Sequence, residues 1–250
     1  LLSEAMMPSF WRVPTDNDEG GFEQSYASAW RKAGLKEAAV TATEMKVTPI
    51  GETQVKIVAH NRIETKAGNI SQQVTYLING DGRIDISTNV EVPASVPPLA
   101  RVGMLLTLDK SFNKVEWHGK GPYETYADRK ESAFVGIHSG AVKDMHFPYV
   151  MPSENDNHID TRWLKLLSGT TELYISAPKL FNFNVQDYAD DALNQSKETQ
   201  ELRRGDHTYL HIDEAQMGVG GDDSWSPRVH KEFLLNQPYY HYEFSIQVRN

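Results

Sequence analysis

Val74-Thr75-Tyr76-Leu77-Ile78-Asn79-Gly80-Asp81-Gly82-Arg83-Ile84-Asp85-Ile86-Ser87-Thr88-Asn89-Val90-Glu91-Val92 decides the fold of this chain. Val74, Tyr76 and Ile78 recur at a period of two, the spacing of one face of a strand. Asn79-Gly80-Asp81-Gly82 then supplies residues that tolerate a tight reversal, so the run reads as a hairpin. Ile84, Ile86, Thr88, Val90 and Val92 alternate with Asp85, Ser87, Asn89 and Glu91, which gives a half-buried second strand. Outward from this hairpin the same period covers about Thr53 to Asp109, with Val102, Met104, Leu106 and Leu108 repeating it after the Pro93–Pro98 connection.

Further strands are expected at Lys114–His118, Glu172–Ala177, Phe181–Val185, Thr208–Asp213 and Tyr239–Val248. In the last, Tyr240, Tyr242, Phe244, Ile246 and Val248 share one face. Helical spacing occurs in Phe22–Gly34, where Phe22, Tyr26, Ala29, Trp30 and Ala33 line up and Gly34 sits at the C-terminal cap position. Asp187–Asn194 is a second, shorter helix candidate. The Gly119–Arg129 and Phe147–Trp163 stretches read as loops rich in aromatics and carboxylates. No repeat, low-complexity tract or composition shift marks a boundary, so residues 1–250 read as one all-β domain of stacked antiparallel sheets with one or two short helices.

The totals narrow the function classes. With 39 % hydrophobic and 24 % charged residues the chain is of globular type, and no apolar run approaches the ~20 residues of a membrane span. A net charge of −9 with scattered Lys and Arg argues against nucleic-acid binding. Zero cysteines exclude disulfides and thiolate metal sites and fit a cytoplasmic setting. No secretory segment is visible, and a start without Met on apolar residues suggests a fragment of something longer.

Two loops carry the chemical signal. Gln216-Met217-Gly218-Val219-Gly220-Gly221-Asp222-Asp223-Ser224-Trp225-Ser226-Pro227 places three glycines in four positions ahead of two carboxylates and a tryptophan. Held on such a shaped loop, Trp225 would offer a flat aromatic face to a sugar ring; the segment equally allows a core tryptophan capping a sheet. Pro152-Ser153-Glu154-Asn155-Asp156-Asn157-His158 gathers hydrogen-bonding side chains beside Phe147, Tyr149 and Trp163. It suits a polyol-binding lining, with Glu154, Asn155 and His158 as contacts, or a brace against another domain.

Other constellations are weaker. Glycoside hydrolysis with retention needs two carboxylates about 5 Å apart across one bond. Asp16, Asp18, Glu154, Asp156, Asp222 and Asp223 are present, but no spacing pairs any two. His207 and His211 mimic a metal pair, yet four residues of strand span ~13 Å, too far to share an ion. Glu154, His158 and Asp160 more simply brace their loop than hold a metal. Gly119-x-Gly121 lacks the third glycine of a dinucleotide fingerprint.

Four runs occur in a familiar order: Phe10-Trp11-Arg12-Val13-Pro14-Thr15-Asp16-Asn17-Asp18, the Gly119–Arg129 run, Pro148-Tyr149-Val150-Met151-Pro152-Ser153-Glu154-Asn155, and Gly218 to Pro227. Together they resemble the C-terminal domain of family 2 bacterial β-galactosidases, which also occurs as a separate small chain. The resemblance covers essentially the whole sequence. It implies a large antiparallel supersandwich of the galactose mutarotase-like class. It also implies that the catalytic glutamates of a retaining glycosidase, and its Mg²⁺ and Na⁺ sites, belong to a barrel domain and its neighbours, leaving no catalytic residue, metal site or cofactor in this fragment. Trp225 matches a tryptophan that lines the sugar pocket. Asp18 and Gly20 match the Asp-Asn-Asp motif and the start of a mobile loop beside the active site, shortened here by the early helix. Expected partners are the catalytic barrel domain, a galactoside and further copies in a homo-oligomer; nucleic acid and membrane are not expected. The isolated fragment is expected to be inactive. A free-standing aldose 1-epimerase, using His118, His146 or His158 with Glu154, and a carbohydrate-binding module are the alternatives.

Overall fold

The computed structural model describes residues 2–21, 24–223 and 228–249. Its twelve strands are β1 (Met7–Ser9), β2 (Ala39–Ile50), β3 (Gln54–Thr65), β4 (Gly68–Asn79), β5 (Ile84–Glu91), β6 (Arg101–Asp109), β7 (Lys114–Gly121), β8 (Phe134–Ala141), β9 (His158–Ser168), β10 (Thr171–Gln186), β11 (His207–Gln216) and β12 (Tyr239–Arg249). Every pairing is antiparallel. The deciding hairpin forms as expected: Ile78 faces Ile84 and Tyr76 faces Ile86 in register, and Asn79 closes the turn with its N–H 2.8 Å from the Arg83 carbonyl. Gly82 takes φ +82° there, a backbone conformation that side chains with a Cβ resist. Ile86, Thr88 and Val90 are buried, as the alternation requires.

The strands run β1-β6-β11-β10-β12-β5-β4-β3-β2, with β9, β7 and β8 branching from β10. β10 is the junction. Its first half, Glu172–Ser176, lies between β9 and β12, while Asn182–Gln186 pairs with β11. The register shifts between Ser176 and Phe181, around Pro178, which has no N–H to give to a ladder. The two runs expected at 172–177 and 181–185 are therefore one bent strand. Val74 of β4, Ile86 of β5 and Phe244 of β12 share a single apolar core with Leu106 of β6, Trp117 of β7 and Leu210 of β11. For both arms to meet in one core the sheet must curl over on itself, which is the all-β supersandwich arrangement.

Four strands, β1, β2, β8 and β9, were not anticipated. β2 is exposed at nearly every position, and β8 is an edge strand whose outer residues Phe134 and Ile137 are exposed, so neither shows a one-sided pattern. The expected 147–163 loop is shorter, because β9 begins at His158.

The helices are short: α1 (Asp16–Glu19), α2 (Tyr26–Ala33), α3 (Val142–Met145) and α4 (Asp190–Gln195). α2 begins at Tyr26 rather than at Phe22, a residue outside the described ones, because Ser25 caps it by accepting the Ser28 N–H at 3.0 Å. Gly34 ends it at φ +67°, as its position predicts. α2 buries Ala27, Trp30 and Ala33, and the Trp30 indole donates to the Pro98 carbonyl at 2.8 Å. α4 falls where Asp187–Asn194 was expected to be helical. Among the described residues no helix is long and apolar enough to cross a membrane.

Candidate functional site

The exits of β1 and β11 and the entrance of β6 lie side by side, since Ser9 pairs with Gly103 and Gln216 with Arg101. The segment after β1 is shaped by α1. Thr15 accepts the Asp18 N–H at 3.2 Å, while the Asp18 carboxylate accepts the Thr15 N–H at 3.0 Å, a reciprocal cap on one turn of helix. That turn aims the Asp18 carboxylate at the fully buried Arg12, which donates to it through Nε at 2.9 Å and Nη2 at 2.8 Å. Arg12 also donates to the Met217 and Gly218 carbonyls at 2.6 and 2.9 Å and to Gln216 Oε1 at 3.2 Å. Burial works against its charge, but Asp18 outweighs burial and holds the pKa above the ordinary value. One buried arginine thus ties the start of the chain to the glycine-rich segment.

A second arginine organises the 152–158 loop. Arg101, fully buried, donates to Asp213 at 2.6 and 3.0 Å and to Glu154 at 3.3 Å. Glu154 also accepts from Gln216 Nε2 at 3.1 Å. Burial raises the Glu154 pKa even though Arg101 pulls it down. Asn155 uses its side chain on its own loop, accepting the Phe147 N–H at 3.0 Å and donating to the Ser153 carbonyl at 2.9 Å; its backbone oxygen accepts from Asn184 and Gln186. Asp156 takes φ +61°, which lets its N–H reach Glu124 Oε2 at 2.8 Å. Glu124 also holds the Tyr149 hydroxyl and Arg129. His158 is wedged between Trp117 and Phe183, at 4.6 and 5.0 Å between ring centres, with Nε2 3.1 Å from Asp156.

The glycine-rich segment is gripped from the other side by Asp128. Its two oxygens accept the N–H groups of Val219 at 3.1 Å and Gly220 at 2.7 Å, and Asn17 donates to the Gly220 carbonyl at 2.8 Å. A Cβ on Gly218 would lie 2.5 Å from Asp128 Oδ2, so the approach requires glycine. Beyond it Asp222 meets His230 at 2.9 Å. Trp225 lies outside the described residues.

These four segments surround one cleft of about 150 Å³, lined by Thr15, Asp16, Asn17, Tyr126, Arg129, Tyr149, Met151, Ser153, Glu154 and Val219. Two tyrosine rings and a mixture of acceptors and donors suit a hydroxyl-rich ligand. Of the residues singled out in the sequence, Asp16, Tyr149 and Glu154 line this cleft. Asp18 stands directly behind it on Arg12. Gly20 ends α1, donating its N–H to the Asp16 and Asn17 carbonyls. Asn155 and His158 are fully buried in the supporting network. His118 packs edge-on against Trp163, and His146 against Tyr188, where burial lowers its pKa. His207 and His211 lie in β11, the strand setting that separates them. Among the described residues no three His, Asp or Glu side chains are placed to hold a metal ion.

Arg12, Arg101 and Asp128 were not singled out. The first two had a signal: an arginine between apolar neighbours, in Trp11-Arg12-Val13 and Ala100-Arg101-Val102, at positions that a core must accommodate.

The family model described as "Beta galactosidase small chain" matches residues 1–246. A β-galactosidase of Vibrio cholerae serotype O1 is 37 % identical over 255 residues, covering 100 % of this chain and 24 % of that protein. A β-galactosidase of Pseudoalteromonas haloplanktis is 33 % identical over 254 residues, covering 98 % of this chain and 24 % of that protein. The chain thus spans about a quarter of these relatives. Among solved structures, a GH36 α-galactosidase from Geobacillus stearothermophilus aligns over 85 % of this chain and 28 % of its own, at 8 % identity and a TM-score of 0.45. A GalM/aldose epimerase homologue from C. elegans aligns over 82 % of this chain and 68 % of its own, at 11 % identity and a TM-score of 0.42.

Proposed function

Because this chain belongs to the β-galactosidase small-chain family, we propose that it is the C-terminal, non-catalytic domain of a retaining family 2 β-galactosidase. In this reading the two bond-cleaving glutamates stand on a separate barrel domain, and the cleft described above faces that barrel and completes one wall of its galactoside pocket. The observation that supports it is the convergence of the four sequence runs on one cleft, cross-tied by Arg12, Arg101 and Asp128. A wall so braced needs no reordering when a sugar arrives, which spares the entropy cost of binding.

Trp225, carried on the glycine-rich segment, stacks on the apolar face of the galactosyl ring. Glu154, at the cleft floor, and Asp16 and Asn17, at its rim, present acceptors to ring hydroxyls. Asp18, Asn155 and His158 hold these groups in place from behind, and Gly20 sets the chain's course past the rim. Such contacts act on substrate and transition state alike, so they lower KM more than they raise kcat. The parent enzyme works in the cytoplasm as a homo-oligomer.

The test is turnover of a chromogenic galactoside. The 250-residue chain alone gives none, and mixing it with the separately produced remainder of its enzyme restores hydrolysis. Hydrolysis by the chain alone, abolished by replacing one of its own carboxylates, would overturn the reading.

A further inference from the structure

Lys110, Lys114, Lys143 and Arg204 come from separate stretches of the sequence, yet the fold brings them around one cleft of about 570 Å³. Lys110 follows β6, Lys114 opens β7, Lys143 sits in α3 and Arg204 precedes β11. The walls are tied together. The Val142 N–H donates to the Asn113 carbonyl at 2.9 Å, and the Gly205 N–H to the Asp187 carbonyl at 2.7 Å. Two of the cations are fixed in place. Lys110 Nζ donates to the Gly205 carbonyl at 2.8 Å. Arg204 donates to Asp187 Oδ2 and, at 3.2 Å, to the Lys143 carbonyl, and its guanidinium lies 5.3 Å over the Tyr188 ring. The other two, Lys114 and Lys143, are exposed, and neither ammonium meets a carboxylate among the described residues.

The chain as a whole carries a net charge of −9, but here four cations line a cleft with a single carboxylate. A local excess of positive charge between low-dielectric walls draws in anions. The carboxylate is Asp187, only 8 % exposed, and its Oδ1 is buried with no hydrogen-bond partner among the described residues. Val142 and the lysine stems add an apolar lining. A bare anion would set its charge against Asp187 and leave Oδ1 unmatched. A ligand that carries both an anionic group and a hydroxyl suits both. We propose that this cleft binds a small phosphate ester: Lys110, Lys114 and Lys143 hold the phosphate oxygens, and Asp187 Oδ1 accepts a hydroxyl of the esterified body. Lysine acts on phosphate as a point charge, so its flexible stem is no obstacle. The site is separate from the cleft assigned to the galactoside and does not depend on that reading.

The experiment is calorimetric titration of the complete enzyme with glycerol phosphate, inorganic phosphate and glycerol, at low ionic strength so that the cations are not screened. Glycerol phosphate binds more tightly than inorganic phosphate, and glycerol does not compete with it. Lys114→Ala and Lys143→Ala, both at exposed positions that the fold does not need, each weaken both phosphates by about threefold to tenfold. Asp187→Ala lowers the preference for glycerol phosphate over inorganic phosphate by about threefold or more, because only the ester brings a hydroxyl to that oxygen. Asp187→Asn, which keeps the side chain's shape, moves the preference in the same direction. Equal affinity for the two phosphates, or a preference unchanged in both Asp187 variants, would overturn the assignment to an ester. The absence of saturable binding, or binding indifferent to both lysine variants, would overturn the site itself.

Discussion

Arg12 and Asp18 form a two-point ion pair sealed from solvent, Nε to Oδ2 at 2.9 Å and Nη2 to Oδ1 at 2.8 Å. The same guanidinium holds the Met217 and Gly218 carbonyls, so the pair joins the first loop of the chain to the last. Removing one partner leaves a buried charge without compensation. Asp18→Ala should therefore cost about 3–5 kcal/mol of stability, read as a lower urea midpoint at unchanged slope. A loss below about 1 kcal/mol, the range of exposed pairs, would contradict this assignment.

Gly103 permits the second arginine pair. A Cβ there would lie 2.0 Å from Asp213 Oδ1 and 2.3 Å from the Ile212 carbonyl, closer than any real contact. Gly103→Ala must displace β11 or swing Asp213 off Arg101, and it should cost more than about 3 kcal/mol through overpacking and the broken pair. Calorimetry and soluble yield check it; a variant that melts like the parent would contradict it.

The hairpin and the core were legible because burial there is one-sided. Ile86 and Val90 of β5 face inward while Asn89 and Glu91 do not, and the sequence alternates accordingly. β2 escaped because an edge strand wet on both faces has no reason to alternate. In the site, the polar character of Pro152–His158 was legible but its direction was not. Whether Glu154 and Asn155 turn outward to a ligand or inward depends on Arg101, Asn184 and Gln216, which reach the loop from 29 to 62 residues away. Nothing local in Tyr126-Ala127-Asp128-Arg129 signals a partner 92 residues downstream.

Asp156 and His158 give the fold a pH signature. Burial, with Glu124 and Glu154 nearby, raises Asp156 well above its ordinary 3.8, so its contribution is full below that value and is lost as pH rises through the folded value. Burial lowers His158 from 6.5 to about 4, so its contribution is full above 6.5 and is lost as pH falls toward 4. In mildly acid solution the two oppose each other. Asp156→Asn removes the first and leaves a neutral amide beside His158 Nε2. That variant should lose up to about 3 kcal/mol between pH 6.5 and 4, a steeper acid decline than the parent's, in melting curves taken across the range. Parallel pH profiles for the two proteins would contradict the assignment.

The central claim is that this domain binds the sugar and leaves the bond-breaking to another. Steady-state kinetics of Trp225→Ala in the complete enzyme tests it most directly. The account predicts a KM for an aryl galactoside raised about tenfold or more, a loss of about 1.4 kcal/mol per factor of ten, with kcat kept within a few-fold. A kcat that collapses at unchanged KM, or kinetics indistinguishable from the parent's, would contradict it.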